Sequence, residues 1–278
     1  MNRDQCILLA SAIARKDYKK AINIIDTELS TTKKIHWIRD LTKLKEFILD
    51  GVPRFSIFAK DGNGKLPFLA FSSLPGKGFC IGAGDCLKFC YSFRAWRYPA
   101  AFCRQCQNAI LLQSESGKLA ISTAIDKFKP KEGQIDFRLY VDGDFTGVSD
   151  IAYWMDILRN RQWLRTYGYS KSWQSFLDYT GIVPDNYQLN LSSGSRYGDQ
   201  IRDKLKQFDY VRGEFIAVST GKKVRSSDHG NREHQKQLRE TYGKKAFTCP
   251  GLCGSCTKSG HACGSSRFKD VDIIIAVH

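Results

Sequence analysis

The chain has 278 residues, 42% of them hydrophobic and 12% aromatic, which suffices for one large domain or two small ones with packed cores. Lysine and arginine number 43 against 28 acids, a formal charge of +15, and such an excess points to a polyanionic partner. The longest apolar run, Ile273 to Val277, is far too short to cross a bilayer, so no membrane role is expected.

Residues 4 to 29 place apolar side chains at helical spacing (Ile7, Leu8, Ile13, Ala14, Tyr18, Ile22, Ile25) and read as one or two helices. This segment acquires charge at once, so it reads as amphipathic rather than as a signal peptide, and a cytoplasmic, reducing compartment follows. A further helix runs from about His36 to Ile48, and Gly51-Val52-Pro53 stops it. Arg54 to Ala59 and Leu66 to Ser72 read as two strands around Asp61-Gly62-Asn63-Gly64, a turn sequence that favours positive φ and a hairpin. Helices are expected at Gln105 to Ser114 and Leu119 to Phe128.

A strand-then-helix rhythm follows. Strands are predicted at Phe137–Val141, Leu164–Tyr169, Tyr187–Leu191, Glu214–Ser219 and Asp272–Val277, with helices at Ile151–Arg159, Trp173–Tyr179 and Gln200–Phe208. With Phe68 to Ser72 this makes six strands joined mostly by helical crossovers. The expectation is an α/β fold, a curled parallel sheet or partial (β/α) barrel of about six strands. Residues 1–52 form a helical N-terminal extension and 53–278 the α/β domain, with a Cys-rich loop at 80–106, a basic insertion at 221–248 and a C-terminal Cys cluster at 249–263.

Nine of the ten cysteines fall in the two clusters, and only Cys6 stands alone. Cys80, Cys86 and Cys90 follow C-x5-C-x3-C, Cys103 and Cys106 follow C-x2-C, and Cys249, Cys253, Cys256 and Cys263 follow C-x3-C-x2-C-x6-C. Short Gly-rich loops let sulfurs turn inward together, and in a reducing compartment metal ligation is favoured over disulfides. Three thiolates on a four-iron cluster leave one iron open for a substrate or S-adenosylmethionine, and four saturate it. Structural zinc prefers C-x2–4-C, so pairing Cys86 and Cys90 with Cys103 and Cys106 is the zinc alternative, while a 4Fe-4S cluster on the trio is the favoured reading. The C-terminal set makes a second closed site, an iron–sulfur cluster or zinc, with His261 between its cysteines.

Basic side chains interleave with aromatic ones around the first cluster, at Arg94, Trp96 and Arg97 beside Tyr91 and Tyr98. Segment 221–248 carries Lys222, Lys223, Arg225, Arg232, Lys236, Arg239, Lys244 and Lys245 against Asp228, Glu233 and Glu240. Charges neutralise phosphate and ring faces take unstacked bases, so Arg94, Trp96, Arg97, Lys222, Lys223 and Arg225 are candidate contacts for DNA or RNA. In parallel α/β folds chemistry collects at the carboxyl ends of strands. Those ends carry Asp142, Asp144, Tyr169, Lys171, Ser193 and Ser195, the candidate pocket residues, although either aspartate equally suits a helix cap.

The run from Leu66 to Pro99 holds an apolar strand followed by C-x5-C-x3-C-Y, and it is joined by FRLYVDGDF (137–145), YGYSKSW (167–173), NLSSGS (190–195) and a C-terminal cysteine cluster. Together these resemble the phage gene-88 protein family over about residues 66 to 265, and Cys103 and Cys106 depart from its pattern. The resemblance implies a protein of a phage or plasmid. A broader similarity is to radical S-adenosylmethionine enzymes, whose partial barrel carries a three-cysteine loop after its first strand, though their C-x3-C-x2-C spacing occurs here only at Cys249, Cys253 and Cys256. Two functions are therefore expected to compete. One is a metal-cluster protein that binds nucleic acid. The other is a radical enzyme that modifies a nucleic acid or tRNA with S-adenosylmethionine as cofactor.

Overall fold

The structure, a computed structural model, describes residues 1–60, 68–88, 90–221, 224–225, 228–251, 256 and 262–277. The turn at 61–64, Lys222, Lys223, Cys253 and His261 lie outside the described residues.

Three helices open the chain: α1 (Arg3–Ala14), α2 (Tyr18–Thr31) and α3 (Ile35–Asp50). Asn2 caps α1 reciprocally, its side chain accepting from the Gln5 N–H while Gln5 accepts from its own, and Gly51 ends α3 in the left-handed conformation. Their buried stripes (Leu9, Ile13, Ile25, Leu41, Leu44, Phe47) join the same apolar core as the sheet.

The sheet has eight strands: β1 (Phe58–Ala59), β2 (Leu69–Phe71), β3 (Ile135–Leu139), β4 (Leu164–Ser170), β5 (Tyr187–Ser192), β6 (Val211–Val218), β7 (Ala246–Thr248) and β8 (Asp272–Ala276), in the order β1-β2-β3-β4-β5-β6-β8-β7. β1 pairs antiparallel with β2, Phe58 opposite Phe71, as the hairpin sequence predicts, and every other pairing is parallel. Between these strands run α4 (Ser92–Ala95), α5 (Pro99–Leu111), α6 (Glu115–Asp126), α7 (Val148–Arg159), α8 (Trp173–Asp178), α9 (Asp199–Leu205) and α10 (Arg232–Tyr242).

Strand alternation divides the two faces. Leu69, Phe71, Phe137, Leu139, Leu189 and Leu191 meet helical residues such as Phe102, Ile121, Trp154 and Phe176 on one side. Phe68, Ala70, Tyr167 and Ile273 point to the other, where Ala262, Cys263 and Phe268 cover them. β6 shifts register against β5, since Leu189 pairs with Val211 and Asn190 with Gly213, which sits at φ 144, and the shift lets Phe215 face the loop side while Ile216 faces α10.

Two predicted features are corrected here. Segment 221–248, read above as a basic insertion with no element assigned, contains α10 and β7, and β7 pairs with β8 at the sheet edge. The helix predicted from Gln105 begins earlier, at Pro99, whose missing N–H costs nothing at a first helical position. That shift takes Cys103 and Cys106 out of a loop and into the buried side of α5.

Candidate metal centre

β2 ends at Phe71 and its chain continues directly into the first cysteine loop. The Val141 N–H donates to the Phe71 carbonyl at 2.8 Å, and the Ser73 N–H to the Asp142 carbonyl at 3.0 Å, so the loop leaves from beside the end of β3. Gly76, at φ 109, turns the chain so that its carbonyl accepts from the Cys80 N–H at 2.9 Å.

The Gly-Ala-Gly between Cys80 and Cys86 is then pressed onto the ends of β4 and β5. The Arg196 N–H donates to the Gly82 carbonyl at 2.8 Å and the Gly84 N–H to the Gly194 carbonyl at 2.9 Å. A Cβ on Gly82 would stand 1.7 Å from the Lys171 carbonyl oxygen, so no side chain fits there. The Ser195 hydroxyl contacts both the Gly82 and the Lys171 carbonyls, at 3.2 and 3.0 Å, and fastens the loop.

This docking brings Cys80, Cys86 and Cys90 around one cavity of about 120 Å³ at the carboxyl ends of the strands, together with Asp142, Asp144, Tyr169 and Lys171. Four of the six predicted pocket residues therefore line it. Ser193 and Ser195 are absent from its lining. The Ser193 hydroxyl accepts from the Ala217 N–H at 2.9 Å and Ser195 secures the cysteine loop, so both side chains have architectural partners. Arg138, Ser192 and Phe215 also line the cavity. Alternation from Phe137 and Leu139, and from Leu189 and Leu191, carries the signal that would find Arg138 and Ser192.

Asp144 is buried, and its carboxylate accepts from the Phe145 N–H at 2.8 Å, the Ser170 hydroxyl at 2.6 Å and the Lys171 N–H at 2.8 Å. Burial raises its pKa, and these bonds oppose the rise. The Lys171 ammonium donates to the Ser192 hydroxyl at 2.7 Å. Burial pushes the Cys80 thiol far up, with the Asp144 charge adding to it, and pushes Cys86 up as well, where Lys171 opposes.

Cys103 and Cys106 do not join the trio. Both are fully buried in α5, and the charges that act on them come from Asp40, Cys6 and the N-terminus on Cys103 and from Cys103 and Cys6 on Cys106. A zinc site combining them with Cys86 and Cys90 does not match this placement, since an interior helix position takes thiols as small apolar side chains. Trp96 is corrected too. It is 3% exposed, its Nε1 donates to Gln105 Oε1 at 2.8 Å, and the rings of Phe93 and Phe102 pack on it at 4.8 and 5.0 Å, which leaves no face for a base. Arg94 and Arg97 are exposed, as is Tyr98, over whose ring the Arg97 guanidinium lies at 4.9 Å. Arg225 is exposed on the far side of the sequence.

Three of the four C-terminal cysteines are described. Cys249, Cys256 and Cys263 share the loop-side cluster with Tyr169, Phe215 and Phe247. Backbone N–H groups reach two of their sulfurs, Gly251 to Cys249 at 3.4 Å and Ala262 to Cys256 at 3.2 Å, as such groups do at thiolate-ligated centres. Burial pushes the Cys263 thiol up to about 12, while a bond from Tyr169 and the charges of Arg212 and Arg138 pull it down. Arg212 is itself buried, bonded to Asn190 Oδ1 at 2.6 Å, and Asn190 donates to the Cys263 carbonyl at 2.9 Å.

Among the described residues, no three His, Cys, Asp or Glu side chains already converge closely enough to hold an ion. The donor chemistry of the first trio nonetheless suits a soft metal. Three thiols share one cavity, the part-buried ammonium of Lys171 stands beside them, and desolvation makes a bare thiolate costly unless a cation sits close by.

No helix of the described residues is long and apolar enough to cross a membrane. No curated protein and no solved structure matches the chain, so the likeness to radical S-adenosylmethionine enzymes gains no support. A family model described as Gene product 88 matches residues 54–270, from just after α3 to just before β8. The chain belongs to the Gene product 88 family.

Proposed function

We propose that this is an iron–sulfur protein that binds nucleic acid beside its cluster. The observation that carries the reading is the lining of one cavity by Cys80, Cys86 and Cys90 at the carboxyl ends of parallel strands. When bound there, a 4Fe-4S cluster supplies one-electron chemistry and an iron with a free coordination position. Lys171 offsets the negative charge of the thiolates, Asp144 fixes the Lys171 backbone, and Gly82 permits the approach that aims the loop inward. Cys249, Cys253, Cys256 and Cys263 form a second centre, either a cluster or a tetrahedral zinc.

The nucleic acid would lie across the exposed Arg94, Arg97 and Tyr98 and the basic start of 221–248, with Lys222, Lys223 and Arg225 on its phosphates. Aerobic loss and anaerobic retention of iron and acid-labile sulfide test the cluster. Colourless protein with stoichiometric zinc at the trio would overturn it. Replacing Lys222, Lys223 and Arg225 with alanine should lower the slope of log affinity against log salt by about 2–3, and an unchanged slope would remove that segment from the interface.

A second reading is catalytic, and the polar lining favours it. Asp142, Asp144 and Lys171 beside the trio are more than a bracing centre requires. The parallel run from β2 to β8, with helices packed on one face, also supports a sheet curled into a partial (β/α) barrel whose mouth is this cavity. On this reading S-adenosylmethionine is the ligand of the open iron. Reduced protein releasing 5′-deoxyadenosine from it would establish the enzyme. Its absence, with nucleic-acid binding intact, leaves the binding role.

A further inference from the structure

Tyr91 directly follows the third cysteine of the trio, and it is held unlike a solvated tyrosine. Its hydroxyl donates to the Val141 carbonyl, just past the end of β3, and its side chain lines the thiol cavity. At the same time 52% of the residue is exposed. The ring therefore stands at the cavity mouth, anchored inward by its hydroxyl and open to solvent over half its surface.

The chain around it turns helically. Tyr91 and Trp96, which bracket α4, have helical backbone angles (φ −65, ψ −27 and φ −68, ψ −10), and the Tyr98 N–H closes on the Ala95 carbonyl at 2.9 Å. Positions i, i+3 and i+7 of such a run share one face. Here they are Tyr91, Arg94 and Tyr98, all exposed, Tyr98 at 56%, whereas Ser92 and Trp96 turn inward. The Arg97 guanidinium covers one face of the Tyr98 ring at 4.9 Å, so that ring has its other face to offer.

We infer that this face takes single-stranded nucleic acid, with an unpaired base stacked on Tyr91 at the cavity mouth. The inference rests on the nucleic-acid reading above and does not depend on the cysteines holding metal. A ring face can be met only by a base that has left its own stack, whereas a duplex offers its backbone and the edges of its bases. Tyr91 loses little freedom on binding, because its hydroxyl is already tied down. Arg94 and Arg97 supply charge for the flanking phosphates, and a chain of formal charge +15 favours a polyanion over a neutral protein surface. The helix of the basic segment, α10, pairs Lys236 with Glu240 at 4.0 Å and turns Arg239 in to Thr248, so it presents no face of one sign to a duplex groove.

Fluorescence anisotropy of the full chain with a labelled DNA single strand, the same sequence as a duplex, and a strand of abasic sugar phosphates tests it. Neither a ring face nor a guanidinium requires the 2′-hydroxyl, so DNA serves as the probe. The single strand should bind at least about tenfold tighter than the duplex at equal salt. Tyr91→Ala should weaken the single strand by about 5- to 150-fold, the loss of one base–aromatic stack, and leave the slope against log salt unchanged because the ring carries no charge. Tyr91→Phe keeps the ring and should stay within about threefold of wild type. The abasic strand removes the base instead, so wild type and Tyr91→Ala should bind it equally. Duplex binding as tight as single-strand binding, an undiminished affinity in Tyr91→Ala, or a loss that the abasic strand shares overturns the stacking proposal and leaves the nucleic-acid reading in place. Binding of neither form overturns both.

Discussion

Asp144 grips Lys171 by its backbone: Oδ2 accepts the Lys171 N–H at 2.8 Å, while the ammonium of the same residue reaches Ser192 instead. The carboxylate thus ties the end of β3 to the end of β4, and the lysine side chain is left to serve the cavity. Asp144→Asn preserves shape but puts an amide NH₂ where one of three donors now points. The expected cost is about 2–3 kcal/mol, because a buried donor loses its acceptor and two donors are set face to face. Chemical denaturation at neutral pH measures it. A loss below about 0.5 kcal/mol would mean that the tie is dispensable.

Asp150 offers a pH test independent of the cysteines. It is buried at the start of α7, accepts from the Tyr140 hydroxyl at 2.7 Å and the Thr146 N–H at 3.0 Å, and burial raises its pKa to about 6. The folded state therefore holds a proton that the unfolded chain releases near pH 4. Between those values the folded form binds more protons, so this group's contribution makes stability fall as pH rises from about 4 to about 6, then level off. The shift corresponds to about 3 kcal/mol. Asp150→Asn mimics the protonated form, since its oxygen can keep both bonds. It should match wild type near pH 4 and exceed it at pH 7. Parallel stability curves for the two proteins would contradict the assignment.

The strands and most helices were legible because alternating and helical apolar patterns record burial directly. Phe137 and Leu139 face helices, and the intervening Arg138 faces the cavity, just as period two requires. Position along the chain was less informative about role. Cys103 and Cys106 share the motif-like spacing of ligands, yet C-x2-C is also one turn of helix, and Pro99 was the overlooked sign that a helix had begun. Trp96 shows the same limit. An aromatic residue between arginines has the composition of a nucleic-acid surface, and only packing by Phe93 and Phe102 reveals it as core. Ser193 and Ser195 share the end of β5 with Ser192, but alternation sends only Ser192 into the cavity.

Gly82 carries a sharper expectation than any cysteine's neighbour. Gly82→Ala would place its methyl 1.7 Å from the Lys171 carbonyl oxygen, a backbone atom held by the β4 end, so the cysteine loop must lift. If the trio holds the proposed cluster, iron content per chain should fall several-fold. Gly198→Ala, where an added Cβ meets nothing within 4 Å and φ is −84, should leave any bound iron unchanged and cost no more than about 1 kcal/mol, the preference for glycine over alanine at the N-cap of α9. Equal iron in both variants would show that loop docking does not set the site.

The two kinds of cysteine separate under the same substitution. On the proposed cluster reading, Cys80→Ser removes one of its three thiols and should lower the iron content, with little change in the stability of the metal-free chain because Cys80 is only partly buried and lines an open cavity. Cys103→Ser buries a hydroxyl among Cys6, Cys106 and the apolar side chains of α1, α3 and α5, where the side-chain surface is fully enclosed. It should cost about 1–3 kcal/mol and leave metal stoichiometry unaltered. Iron analysis beside denaturant unfolding of both variants reads out the pair. Loss of iron in Cys103→Ser at full stability would return that residue to the ligand set, since burial in α5 would then be the smaller of its two roles.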